Sequence, residues 1–467
     1  MVGLNLLERF NQWIQESVMI KLFSIGFLML VLLIPSQWIK DLMFERQTRA
    51  AQMIEEVSGK WSGPQTITGP ILVIPYIRQE VIIKGDQTKE IREYVEKAFF
   101  LPNDLKVQGK VAPEILHRGI FDAVVYESSL NLEANFAQPD LKSLSIPDDR
   151  VRWHDAYLVF GISDVRGISD NFSISVGGEN LEAEPSNNIG VSIAQAKRTE
   201  SSDDYRFAKP LPPSDNTKGI ISKLHWQNAG SFTSHINIKL NLKGRHTLDF
   251  IPVGKTTAVD LEGSWNNPSF DGEFLPNTRT VTESGFAANW KILHFNRPFA
   301  QQWTGPQQLD DSNFGVKLLI PVDQYQKSIR TAKYGALIIL FTFMALFLVE
   351  LTQKIRIHPF QYILIGIALT IYYTLLLSLS EHVGYNTAYL IASAATVILI
   401  ALYSRTFFSQ FRLTLLFTVL LVIFYTFIFL IILQQDFSLL LGSIGLFIIV
   451  ATLMYFSRNV RWYKETR

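Results

Sequence analysis

The basic residues in the last third of the chain fall in alternate gaps between long apolar runs. The runs are 334–351, 360–380, 387–403, 413–433 and 437–456. Each is close to the ~20 apolar residues that a helix needs to cross a bilayer core. Lys354 and Arg356 lie in the first gap, and Arg405 and Arg412 in the third. Arg458, Arg461, Lys464 and Arg467 follow the last run. The other two turns, Glu381-His382 and Gln434-Gln435-Asp436, carry no Lys or Arg. Basic loops stay on the cytoplasmic side. The pattern therefore predicts a five-helix transmembrane bundle over 333–457, a cytoplasmic tail over 458–467, and an extracytoplasmic placement for whatever precedes the first of these runs.

The N-terminal end is consistent with that orientation. Leu4, Leu7, Phe10, Trp13, Ile14 and Val18 recur at helical spacing, with polar residues between them. Residues 1–18 read as an amphipathic segment on the cytoplasmic face. Residues 19–39 read as a transmembrane anchor, flanked by Lys21 and Trp38. The run ends Ile-Pro-Ser-Gln-Trp-Ile-Lys, without the small residues of a cleavage site. An uncleaved anchor is expected, with a helix over Lys40–Val57 leaving the membrane.

Between these membrane segments the hydrophobic period changes to two. Ile71–Ile77, Tyr94–Phe100, Phe121–Phe136, Ala156–Ile162, Phe172–Val176, Ile236–Leu242, Thr256–Leu261 and Val316–Pro321 all read as strands punctuated by Gly, Pro, Asn and Asp. Residues 40–332 are expected to form a large periplasmic antiparallel β-rich domain, sandwich-like in build. One lobe or two both remain open, with a boundary near 195–219. Trp61-Ser62-Gly63-Pro64-Gln65 is echoed by Trp303-Thr304-Gly305-Pro306-Gln307. A duplicated lobe or similar local turn chemistry would each explain the echo. The fold class is thus an α+β membrane protein with an N-terminal anchor, a β-rich body and a C-terminal bundle.

Composition removes several chemistries. There are no cysteines, so thiol catalysis, disulfides and thiolate metal sites are excluded. The net charge of +1 does not suit a nucleic-acid partner. His117, His154, His225, His235, His246 and His294 show no metal-ligand spacing, and no cofactor or metal is implied. Gly254-Lys255-Thr256 ends like a phosphate loop but lacks the earlier glycine. Ser169-Asp170-Asn171 and Ser214-Asp215-Asn216 lack the Ser-x-x-Lys and Lys-Thr-Gly partners of penicillin-binding chemistry. No catalytic residue is assigned.

Candidate functional residues lie in the membrane part. Glu381 and His382 pair an acid with a histidine at a membrane boundary, where ionisable groups are costly. Thr370, Thr374, Ser378 and Glu381 follow one helix face. Asn386, Tyr389, Ser393 and Thr396 follow a face of the next helix. These stripes would form a polar track if they meet, or serve as interhelical packing glue. Glu350 sits near the end of its run, within reach of Lys354 at i+4 or of Arg356, or free to snorkel.

Three blocks stand out together: Trp61–Tyr76 with the Glu-Arg-Gln-Thr-Arg segment from Glu45, Leu248–Pro276, and Leu348–Tyr389 with Glu350, His358-Pro359, Gln361-Tyr362 and Leu-Leu-Leu-Ser-Leu-Ser-Glu-His. In these blocks the chain resembles the CreD family of Gram-negative inner-membrane proteins. The resemblance covers nearly the whole chain in order. It implies an inner-membrane protein tied to cell-envelope integrity, expressed under a sensor-kinase and response-regulator pair and under envelope stress. It implies no established catalytic activity, and it adds His358 to Glu350, Glu381 and His382 as candidates. The expected function is non-catalytic envelope maintenance. Expected partners are the lipid bilayer and envelope proteins or cell-wall components. A transporter or flippase using the polar track, and a membrane enzyme acting on lipid or cell-wall precursors with Glu381 and His382 as acid and base, are the alternatives.

Overall fold

In a computed structural model, the chain divides into two compact units. One is helical and comprises Met1–Gln52 and Val322–Arg467. The other is β-rich and comprises Met53–Pro321. The structure describes residues 18–83, 89–170, 172–191, 218–305, 307–309, 312–319, 324–353, 355–408, 410–434 and 438–457. The amphipathic segment before Val18, most of the 195–219 stretch and the tail over 458–467 lie outside the described residues.

Helix α1 runs unbroken over Val18–Trp61. The sequence suggested an anchor ending at 39 and a second helix from Lys40. The charged residues Lys40, Asp41, Glu45 and Arg46 follow the end of the apolar run. They are good helix formers or tolerable on an exposed face, so the helix continues through them. Pro35 lies inside it. The remaining helices are α2 Gln324–Lys333, α3 Gly335–Gln353, α4 Pro359–Val383, α5 Tyr385–Ser404, α6 Phe411–Leu433 and α7 Ser438–Ser457. Among the described residues five helical stretches are long and apolar enough to cross a membrane: Lys21–Trp61, Gln324–Gln353 and helices α4, α5 and α6. Helix α2 corrects the expected extent of the β body, which was drawn to 332. Its sequence is polar, but Tyr325, Ser328, Ile329 and Ala332 recur at helical spacing and are buried.

Among the described residues the β unit holds two sheets. Its strands are β1 Gln65–Ile83, β2 Lys89–Phe100, β3 Asp104–Arg118, β4 Phe121–Asn135, β5 Tyr157–Ile162, β6 Ser173–Val176, β7 Glu179–Leu181, β8 Glu184–Ser186, β9 Gly219–Lys223, β10 His235–Arg245, β11 Thr247–Phe250, β12 Thr256–Gly263, β13 Pro268–Gly272, β14 Thr278–Thr282, β15 Gly285–Leu293, β16 Gln302–Thr304 and β17 Phe314–Leu318. The nine-stranded sheet runs β13-β17-β11-β1-β5-β9-β8, with β2 on β1 and β16 on β2. The eight-stranded sheet runs β14-β15-β12-β3-β4-β10-β6-β7. The sheets are not purely antiparallel. Strand β1 pairs parallel with β11, and β3 parallel with β12. Such pairings join distant segments and leave no trace in hydrophobic periodicity.

One core lies between the sheets. Ile67, Val159, Phe250 and Val316 from the first pack in the same cluster as Val107, Leu132, Ile238 and Trp290 from the second. Each such side chain contributes about 1.5–3 kcal/mol by leaving water. The alternation of buried and exposed residues along β4 is what a half-covered sheet requires. In β1, Gln65–Tyr76 is buried throughout, as a strand covered on both faces must be.

The two Trp-Ser/Thr-Gly-Pro-Gln copies have different settings. Trp61 ends helix α1, with the Lys243 ammonium 4.3 Å from its ring centroid. Trp303 lies within β16 and stacks on Phe99 at 5.3 Å. The echo does not mark equivalent positions in two lobes.

Candidate functional site

Helix α3 delivers a carboxylate into the helical unit. Glu350 is 4% exposed. Its Oε1 accepts from Lys21 Nζ at 2.6 Å and from the Ile357 amide at 3.3 Å. Its Oε2 accepts from the Tyr362 hydroxyl at 3.1 Å. An unpaired carboxylate buried in this way would be strongly disfavoured, and these donors supply its compensation. Lys21 comes from α1, Ile357 from the α3–α4 connection and Tyr362 from α4, so the site ties three segments together. Its basic partner is Lys21 and not Arg356, which is exposed. Lys354 lies outside the described residues. The snorkelling alternative does not fit a carboxylate 4% exposed, to which Lys21 brings the counter-charge.

His358 caps α4. Its Nδ1 accepts from the Phe360 amide at 3.2 Å, and Gln361 Oε1 accepts from the His358 amide at 3.0 Å. This reciprocal arrangement satisfies two amides at a helix start, and Pro359 follows at the first helical position.

Glu381 lies near the other end of α4, with its side chain 9% exposed. It accepts from the Tyr325 hydroxyl at 3.1 Å, and Arg46 Nε of α1 lies 4.0 Å away. His382 is exposed, and no hydrogen bond or ion pair joins it to Glu381. The structure therefore does not join Glu381 to His382 as the membrane-enzyme alternative requires. Lys21 and Arg46 are 25 residues apart, so the two carboxylate contacts are about 37 Å apart along α1 at 1.5 Å per residue. Between them Leu32 is buried, close to Gly366 of α4. A Cβ at Gly366 would collide with Leu32, so the glycine lets α1 approach.

The polar stripes are not brought together as a track. Thr374, Ser378 and Asn386 are exposed. Thr370 is buried, but its hydroxyl donates to Gly366 O of its own helix at 2.8 Å. Ser393 likewise donates to Tyr389 O at 2.7 Å. Thr396 is buried. Tyr389 does reach across helices, donating to Tyr425 O at 2.7 Å.

A cluster of phenols went unnoticed in the sequence. Tyr372 packs on Tyr373 and Tyr425 at 4.8 Å each and on Tyr389 at 6.0 Å, and Tyr385 contacts Tyr389 at 5.9 Å. The Tyr385 and Thr331 hydroxyls are 2.6 Å apart. The hydroxyls of Tyr372, Tyr373 and Tyr425 are buried without a hydrogen-bond partner. The available signal was the Tyr-Tyr pair at 372–373 and the four-residue step from Tyr385 to Tyr389. For Lys21 it was an acid and a base at the ends of separate apolar runs.

The β unit has its own polar cluster where α1 ends. Gln65 Nε2 donates to Ser62 Oγ, Asp164 O and Lys243 O at 2.9–3.0 Å. Asp164 accepts from the Gly63 amide at 2.8 Å and from Arg166. Burial would raise the Asp164 pKa, but the Arg166 guanidinium and the Gly63 and Arg166 amides outweigh it and bring it to about 2. Arg245 donates twice to Glu55, at 2.5 and 2.6 Å, and once to Ser58 at 2.8 Å. Asp249 behaves oppositely. Burial lifts its pKa to about 7, with Asp271 adding and Asn313 and Lys317 opposing. Among the described residues no three His, Asp or Glu side chains group as a metal site.

Apolar helices of spanning length together with a large β-rich unit define a multi-pass α+β membrane protein. The family comparison is specific. A family model described as "Inner membrane protein CreD" matches residues 17–463, and the chain belongs to that family. It is 32% identical over 447 residues to the Inner membrane protein CreD of Escherichia coli (strain K12), covering 95% of this chain and 93% of that one.

Proposed function

We propose that this protein is a non-catalytic component of envelope maintenance. Its helical unit anchors it in the inner membrane, and its β unit meets envelope components on the periplasmic side. The observation that carries this reading is the occupation of the buried carboxylates. Glu350 is held by Lys21, Tyr362 and the Ile357 amide, and Glu381 by Tyr325 with Arg46 nearby. Groups held this way act as helix fasteners. A transport path or a general acid would need them open to substrate or solvent. The CreD family description names no enzymatic activity.

Topology follows from charge. Arg356, Arg405 and Arg412 share one side with both termini, while the Glu381–Gly384 turn faces the other. Helix α7 serves as the sixth span, and the β unit, Met53–Pro321, lies in the periplasm with that turn.

The test is rescue of a strain lacking the gene under envelope stress, with membrane levels matched by blotting. Full-length protein and Glu381→Gln/His382→Ala are expected to rescue. A chain without residues 62–319 is expected to be inserted and inert. If the double variant is stable yet inactive, or the chain without its β unit rescues, the reading fails.

A further inference from the structure

Strands β1 and β2 continue past the sheet that holds them. Strand β5 pairs with β1 only as far as Val73, and β16 meets β2 only over Ala98–Phe100. Beyond those contacts Ile77–Ile83 and Lys89–Val95 ladder with each other. Seven residues a strand make a two-stranded ribbon about 24 Å long at ~3.4 Å per residue. Such a ribbon is marginally stable in water by itself.

Residues directly opposite across two strands share a face, so the register sorts the ribbon's side chains. One face carries Arg78 with Tyr94, Glu80 with Arg92 and Ile82 with Glu90. It is laced with ion pairs, Arg78 to Glu96 at 2.9 Å and Arg92 to Glu90 at 3.1 Å. The other face carries Ile77 with Val95, Gln79 with Glu93, Val81 with Ile91 and Ile83 with Lys89. There Val81, Ile83, Ile91 and Val95 are 55–68% exposed. Single apolar residues on a surface are ordinary, but a contiguous group on a projecting ribbon marks a contact surface.

We infer that this face packs on the same face of a second copy of the chain, about a two-fold axis through the Val81–Ile91 pair. The charges on the face favour that partner. With the ribbons antiparallel, the axis sets Val81 on Val81 and Ile91 on Ile91. It also sets Glu93 opposite Lys89 of the second copy, and Lys89 opposite Glu93. An isologous contact requires this self-complementarity. Moving the axis by one pair, to Gln79–Glu93 or to Ile83–Lys89, sets like charges against each other. Lipid suits the face less well. Glu93 sits among the apolar residues, accepting from Gln79 Nε2 at 2.8 Å, and a carboxylate is costly in hydrocarbon. A peptide strand added at the ribbon's edge leaves the apolar face in water. The patch is small beside the roughly 20–30 residues a side of a standard interface, so the pairing draws on both chains sharing one membrane.

The chain has no cysteine, which makes crosslinking the direct test. Val81→Cys, Ile91→Cys and, on the charged face, Glu80→Cys are introduced singly into the full-length protein. Membranes are then treated with a short bis-maleimide. Val81→Cys and Ile91→Cys are each expected to give crosslinked dimers, and Glu80→Cys is not. Adding Glu93→Lys to Val81→Cys should lower the dimer yield about tenfold, and adding Lys89→Glu as well should restore it. Thermal unfolding of the charge variants should match that of the parent. No dimer at either apolar site, equal yield at Glu80, or a loss in Glu93→Lys that Lys89→Glu does not restore overturns the inference. Crosslinking only when the Val81→Cys and Ile91→Cys proteins are co-expressed overturns the antiparallel axis. Shielding of both thiols from a water-soluble reagent without any dimer would give the face to lipid or to another protein.

Discussion

The helical unit and the β unit bury polar groups by different rules. In the β unit they join networks that cross segments, as where Gln65 Nε2 lies 2.9–3.0 Å from acceptors on three of them, while Thr68, Trp303 and Ser312 keep buried side-chain atoms without partners. In the helical unit three phenols and the hydroxyls of Ser328, Thr342 and Thr414 are buried without partners. The two carboxylates there have a few long-range partners each. The difference reflects what holds each unit. The sheets pack because water expels their inner faces. Apolar helices in lipid gain little that way, so they associate by close packing and sparse polar contacts. A polar contact in the bundle therefore selects a neighbour, whereas one in the β unit completes an already favoured fold.

This contrast breaks first if the β core tolerates a cavity. Trp290 is fully buried and packs on Phe270 and Phe314 at 5.7 Å each. Trp290→Ala is expected to cost about 3–5 kcal/mol. Limited proteolysis should show the β unit degraded while bundle fragments persist. Equal resistance of the variant would show that the core is not what holds this unit.

The next effect is on pH. Asp249 titrates near 7 in the folded chain, raised chiefly by burial, against about 3.9 unfolded. The folded state therefore binds the extra proton between those values. Its stabilising contribution is complete below about pH 4 and is lost as pH rises through about 7, on the order of 4 kcal/mol. Denaturant unfolding of the β unit at pH 5 and pH 8 should show this fall, and Asp249→Asn should flatten it. An unchanged slope in that variant would exclude Asp249 as its source.

A smaller effect is expected at the ion pair. Lys21 is 30% exposed and can swing toward water, so Glu350→Gln is expected to cost about 1–2 kcal/mol, less than breaking a fully buried pair. A cysteine crosslink placed between α1 and α3 should form more slowly in the variant. Unchanged crosslinking would mean the pair does not select the neighbour. The smallest effects belong to the helix surface. His358→Ala should lose about 1 kcal/mol as a cap. Thr374→Val and Ser378→Ala, at exposed positions, should stay within about 0.5 kcal/mol. Thermal scans of the solubilised protein would rank them, and a large loss at Thr374 would revive the polar track.

Much of this architecture was legible in the sequence, for identifiable reasons. A spanning helix needs one continuous apolar run, and 360–380 or 413–433 announces itself. Strands with strong alternation, such as β4 and β10, did so too. Strand β3 was missed because Gly109 and Pro113 interrupt its pattern, and β15 because small residues occupy its Phe286–Trp290 stretch. The site was less legible. Glu350 was singled out from its depth in an apolar run, but its partner lies 329 residues away. Local spacing pointed to Lys354 and Arg356 instead. The stripe through Thr374 and Ser378 shows the converse limit. Helical spacing puts residues on one face without saying whether that face meets protein or lipid.

The contacts of α1 at Lys21 and Arg46 have a consequence for the surrounding membrane. Their separation is set by covalent geometry, at about 37 Å of helix. A bilayer has a hydrocarbon core of ~30 Å and reaches ~40–45 Å with its headgroups. The separation of the two contacts lies between those two thicknesses. In a thicker or thinner bilayer the helix must tilt or the lipid must deform, at a cost that rises with each ångström of mismatch. The number of residues between Lys21 and Arg46 thus fixes how far apart helix α1 holds its two contacts with the other helices.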